Sequence, residues 1–178
     1  MDSEKNRRYQ VTMVSTYYSD KNCLDSFVMP DGTEPTYSSD VLTLLQSGQV
    51  LIVNSRRRNG LILIKRYHAE FAGPGAAVGG EYDADCQMVI PIGNLSLLTS
   101  ESYEERQKAY LIRRQWIRLI KQITEHTLPQ QRVQKILDQF EQYFPQDAVA
   151  NLPDEVFALL VGVLPQTVGM VRRWGNRE

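Results

Sequence analysis

Histidine and cysteine are scarce in this chain, two of each in 178 residues, and their placement excludes several chemistries at once. Cys23 and Cys86 stand far apart, with the spacing of neither a metal site nor a redox pair, and read as free thiols in a reducing cytoplasm. No Cys, Asp or Glu is spaced around His68 or His126 as a metal site demands, so no metal and no cofactor are expected. The chain also lacks a Gly-x-Ser-x-Gly turn, a Walker loop and any nucleophile paired in sequence with a base, which argues against an enzyme. No apolar run approaches the roughly 20 residues that a membrane span needs, and the opening MDSEKNRRYQ is polar. A soluble cytoplasmic protein with no membrane partner is expected. The net charge of -1 and a pI near 6.2 exclude a chain that coats nucleic acid by bulk charge, so any such contact must come from a local patch.

What is present is an ordinary globular balance, 42% hydrophobic and 23% charged, at a length that suits one large domain or two small ones. From Tyr9 to about Leu98 the chain favours strands: YQVTMVST, VLTLLQSGQVLIVNS, GLILIKRYHAEF and CQMVIPIGNLSLL are rich in β-branched and aromatic residues, with turn signals between them. Within QVLIVNSRRRNGLILIKRY, Asn59-Gly60 suits a tight hairpin turn, and apolar residues on both faces of its flanking runs suit a sandwich or roll. FAGPGAAVGGEYDAD reads as a glycine-rich loop rather than a strand.

From about Ser102 the period changes to that of a helix. Ala109, Ile112, Trp116, Leu119 and Ile123 recur at spacings of three and four, as in a coiled-coil seam, so they are the candidate dimer interface. Ser102 and Glu105 form a capping-box signature, and Pro129 closes the segment. A second helix, PQQRVQKILDQFEQYF, aligns Val133, Ile136, Leu137, Phe140 and Phe144 on one face, with Pro145 as its stop. After a short polar link, PDEVFALLVGVLPQTVGMVRRW reads as two helices turning at Gly162, with Pro153 and Pro165 suited to their first turns and Val163 and Val168 plugging the angle between them. The outward side of the last helix would carry Gln166, Thr167, Met170 and Arg173, with Arg172 near a phosphate.

These stretches carry a family resemblance. QQRVQKILDQF and LPDEVFALLVGVLPQTVGMVRRW resemble the DNA-binding end of Crp/Fnr-type transcription regulators, through Leu160, Val161, Gly162 and Val163, then Thr167, Val168 and Gly169, then Val171, Arg172 and Arg173. LLQSGQVLIV and FAGPGAAVGGEY are weaker likenesses to the family's β-roll. The resemblance implies an α+β chain: a β-rich, sensor-like roll or sandwich over residues 1–100, a connecting and dimerisation helix over 101–128, and a helix-turn-helix domain over 129–178. It implies a homodimer that binds double-stranded DNA through Gln166, Thr167, Met170, Arg172, Arg173 and Arg177. Four departures are visible. Gly80-Glu81 is followed by acidic residues where the family's cyclic-nucleotide pocket needs an arginine, so no response to cyclic nucleotide is expected. Two isolated cysteines cannot hold the iron-sulfur cluster of one branch of the family. Met170 offers no bidentate contact to guanine, and no wing follows the recognition helix before Glu178.

The alternative is an adaptor that keeps this shape and binds another protein instead of DNA. Arg56, Arg57 and Arg58 form a basic tip suited to a solvated turn, a phosphate, an RNA or an acidic partner. Arg113, Arg114, Arg118 and Lys121 read as a basic flank of the seam. Glu81, Asp83 and Asp85 read either as a small acidic cluster that could hold a metal ion nonspecifically or as an exposed strand edge, which three acids on alternate residues also describe.

Overall fold

The computed structural model describes residues 39–175 and gives an α+β fold of six antiparallel strands in two small sheets with helices around them. The strand-like stretch Tyr9–Thr16, together with Cys23 and Arg177, lies outside the described residues.

The order of elements corrects several expectations. VLTLLQ, read as part of a strand, belongs to a helix, α1 (Ser39–Gln46). Its inward residues Val41 and Leu45 are fully buried and four apart, the spacing of a helix face. Only Val50–Val53 forms the first strand, β1. GLILIKRYHAEF divides into β2 (Asn59–Ile64) and β3 (Ala69–Ala72), a hairpin pairing Ile62 with Phe71. The glycine-rich segment, read as a loop, contributes β4 (Ala77–Gly79) and a single 3-10 turn (Gly80–Asp83). β5 (Met88–Gly93) and β6 (Leu97–Thr99) complete the sheets, ordered β4-β1-β6 and β3-β2-β5.

β1 and β2 therefore do not form the expected hairpin; the chain crosses from one sheet to the other between them. Asn59 and Gly60 are paired inside β2 rather than turning the chain. The turn lies earlier, around Ser55–Arg58, and the fully buried Asn59 is its strut. Its side-chain amide donates to Asn54 O (2.8 Å) and Arg57 O (3.0 Å), and its Oδ1 accepts from Ser96 N (3.0 Å). Gly60 is required for space, because a Cβ there would meet the Phe71 ring at 2.7 Å.

The helical half follows the sequence more closely. α2 (Tyr103–Thr124) starts on the expected cap, Ser102 Oγ accepting from Glu105 N at 3.1 Å. α3 (Pro129–Tyr143) has Pro129 in its first turn and buries Val133, Ile136, Leu137 and Phe140, as its period requires, with Phe144 buried at its end. α4 (Gln146–Ala150), α5 (Asp154–Val161) and α6 (Pro165–Gly175) follow.

The two halves share one core. Phe71 of β3 meets the rings of Trp116 (5.1 Å), Phe140 (4.9 Å) and Phe144 (5.7 Å), so the sheet β3-β2-β5 packs directly on α2 and α3. A side chain this buried contributes about 1.5–3 kcal/mol through lost apolar surface alone. Among the described residues no single helix is long and apolar enough to cross a membrane.

Candidate functional site

α5 and α6 meet at 114° across Gly162, Val163 and Leu164. Gly162 caps α5 in the left-handed region (φ 64, ψ 52), a backbone conformation that L side chains rarely adopt, and its N–H reaches back to Ala158 O. Leu164 O accepts from Thr167 N at 2.9 Å, starting α6 with Pro165 in its first turn. Arg132 of α3 ties the turn down, donating from Nε to His126 O (2.6 Å) and from Nη1 to Gly162 O (3.3 Å). Val168 (0% exposed) and Val171 (4%) hold α6 against α3 and α5.

That inward face fixes the outward one. Gln166, Met170 and Arg173 fall at intervals of four and three along α6, Thr167 beside them; Gln166 and Arg173 are exposed, Thr167 and Met170 half-buried. Four of the six expected DNA contacts are thus brought together. Arg172 is not among them, which corrects its reading as a phosphate contact. It turns inward and donates from Nη1 to Asp154 Oδ1 (2.8 Å) and Leu152 O (2.9 Å) and from Nη2 to Val149 O (3.2 Å), with its guanidinium 4.9 Å from the Phe157 ring. Burial lowers its pKa, the effect that Asp154 opposes. Gly169 completes this arrangement, since a Cβ there would lie 2.8 Å from Asp154 Oδ2. Leu164, just before α6, and Trp174, near its end, are large apolar side chains left exposed, at 68% and 54%.

The expected dimer seam is largely interior. Ala109 (2% exposed) and Ile123 (5%) are covered by the chain's own sheets and helices. Trp116 stands edge-on to Phe71 and, at 5.0 Å, to Tyr143, and a Cβ on Gly73 would run into its ring. A period of three and four marks any buried helix face, and here the β-sheets bury it. Ile112, Trp116 and Leu119 keep one side open, where with Pro74, Gln115 and Tyr143 they line a shallow groove of about 360 Å³.

The buried charges form a second constellation. Arg113, read as a flank of the seam, points into the fold and donates from Nη2 to Glu70 Oε2 (2.7 Å) and Asp83 Oδ1 (3.2 Å), and from Nη1 to Ala77 O (3.1 Å). Its Nε is buried without a hydrogen-bond partner among the described residues. Asp83, read as exposed, is 1% exposed and also accepts from Gly79 N at 2.8 Å. Lys65 Nζ joins the group through Asp85 (2.9 Å), Glu70 (3.5 Å), Asp83 (3.7 Å) and Tyr82 O (2.6 Å). Burial alone would lower the Lys65 pKa, but the Asp85 hydrogen bond and the surrounding carboxylates reverse it, and the net shift is upward. Burial alone would raise Glu70, and Arg113 reverses that into a net lowering. Lys65 and Glu70 carried no motif in the sequence. The one available signal was polar residues inside otherwise apolar strand runs.

This network occupies the space between β3, β4, the 3-10 turn and α2, satisfying internally the carboxylates that follow Gly80-Glu81. It ties α2 to the two sheets. The chain matches no protein-family model, no curated protein and no solved structure.

Proposed function

We propose that this chain is a DNA-binding transcription regulator that reads duplex DNA with the outward face of α6. One observation carries the reading: α5 and α6 lie at 114° across a three-residue turn fixed by a left-handed glycine. That is the geometry with which a second helix stands clear of its domain and enters a major groove. Gln166 and Thr167 would contact base edges near the N-terminus of α6, and Arg173 would contact a base edge or a phosphate. Met170 would lie against apolar base surface. Arg172 acts one step back, holding α6 to the segment before α5. Dimerisation belongs to the reading, because one such face makes few contacts and two half-sites acting together multiply affinity. Within the Ala109–Ile123 stripe, Ala109 and Ile123 are used inside the chain, and Ile112, Trp116 and Leu119 keep an open side.

The test is selection of duplexes from a random pool at near-physiological salt by wild type and by a Gln166→Ala, Arg173→Ala variant. A consensus recovered by wild type and lost in the variant supports the reading; no enrichment by either refutes it. The second reading, an adaptor that binds protein through this face, is favoured by the exposure of Leu164 and Trp174 at the two ends of α6. It predicts no enriched duplex and loss of a protein partner on replacing Leu164 and Trp174 by serine.

A further inference from the structure

The groove on α2 is lined by Pro74, Ile112, Gln115, Trp116, Leu119 and Tyr143, without a charged side chain. Its surroundings are basic. Lys108, exposed, is one turn before Ile112 on the same helix face, and exposed Arg118 lies one turn past Gln115, at the border with the neighbouring groove of α2 that it lines. Ser55, which precedes Arg56, Arg57 and Arg58, lies next to Gly75 at the Ile112 end, where a Cβ on Gly75 would be 3.0 Å from Ile112 Cδ1 and 3.8 Å from Ser55 Cβ. Those three arginines make no ion pair among the described residues, whereas Lys65, Arg113 and Arg172 all do. An apolar floor with a basic rim fits an apolar segment that carries carboxylates.

The chain contains such a segment outside its described residues. Residues 17–37, YYSDKNCLDSFVMPDGTEPTY, hold Asp20, Asp25, Asp31 and Glu34 against a single Lys21, interleaved with Leu24, Phe27, Val28 and Met29. The segment is joined to the fold at α1, so its local concentration at the groove is that of a tethered ligand, on the order of millimolar. From Cys23 to Ser39 an extended chain reaches about 50 Å, enough to cross a domain of this size. A second copy laid parallel on the same face would instead bring Arg118 and Lys108 towards their own counterparts. We propose that this acidic N-terminal segment docks in the α2 groove, covering Trp116 and Leu119 and meeting the basic rim with its carboxylates.

Cys23 lies beside Leu24 and supplies the test in the full-length protein. Cys86 is 2% exposed and burial pushes its thiol up to about 11, so it stays out of the exchange. Gln115→Cys places a thiol in the groove, and Gln166→Cys places one on α6 as a tethered control. Under mild oxidation the proposal expects an intramolecular disulfide between Cys23 and position 115, read by non-reducing peptide mapping, that forms about tenfold or more faster than the bond to position 166. Arg118→Glu should slow the position-115 bond severalfold, and Asp25→Lys in the same chain should restore it. Equal rates at the two positions, or an Arg118→Glu rate unchanged from the parent, would overturn the proposal. A disulfide that joins two chains at position 115 would also overturn it, assigning the groove to a second copy.

Discussion

Replacing Arg113 by methionine leaves a long apolar side chain in place of the guanidinium and strands the carboxylates it binds. Among the described residues Asp83, 1% exposed, would keep only the Gly79 N–H at 2.8 Å and the Lys65 ammonium at 3.7 Å, and Glu70 would lose its 2.7 Å partner. Breaking a buried ion pair from one side costs about 3–5 kcal/mol, and because Lys65 remains nearby the lower end, about 3 kcal/mol, is expected here. For a chain of this length that is a fall of about 6–12 °C in Tm. The assay is urea unfolding followed by circular dichroism, with the two-state test made on both variants. Adding Asp83→Asn removes the stranded charge, so the double variant should lose less than the sum of the singles by about 0.5–3 kcal/mol. A loss below about 1 kcal/mol for Arg113→Met, or strict additivity with Asp83→Asn, would refute the claim that this network clamps α2 to the sheets.

The Glu70 carboxyl titrates below its ordinary value of 4.5 in the folded chain, so its contribution is present above that value and is lost as pH falls through the folded pKa; wild type should therefore lose more stability than Glu70→Gln between about pH 5 and 3, read from urea midpoints. Gly162→Ala has open space around its Cβ but a φ of 64, so it should cost about 1 kcal/mol from backbone conformation alone, and Gly162→Asn less, in the same unfolding assay. Trp116→Glu should unfold the chain rather than dissociate a dimer, because the ring packs on Phe71, Gly73 and Tyr143; loss of near-ultraviolet circular dichroism checks it, and a folded monomer would contradict it.

The helices were legible where a local signal was complete. Ser102 with Glu105, Pro129 before a regular apolar face, and Gly162 between two apolar runs each specify their element within a few residues. The strands were harder, because VLTLL can serve a strand or a helix face, and its burial against β4 and β5 decides for α1. Asn59-Gly60 has the residues of a hairpin turn, yet the amide of Asn59 is used to brace the turn before it, and the strands on either side enter different sheets. No local pattern records such a crossover. The same limit applies to the charges: Lys65, Glu70, Asp83 and Arg113 come from separate elements and meet only after the sheets close on α2. At the candidate interface, spacing placed Gln166, Thr167, Met170 and Arg173 together, but Arg172 and Arg173 are adjacent and alike, and only packing separates the inward guanidinium from the outward one.

That separation gives the most direct measurement. Fluorescence anisotropy at near-physiological salt would compare an enriched duplex with a scrambled one, for wild type and for Arg173→Ala, with unfolding midpoints measured alongside. Wild type should prefer the enriched duplex, and Arg173→Ala should weaken that complex by about 1–3 kcal/mol with no change in its unfolding midpoint. Equal affinity for both duplexes, or an Arg173→Ala protein that binds as tightly as wild type, would contradict DNA reading by α6.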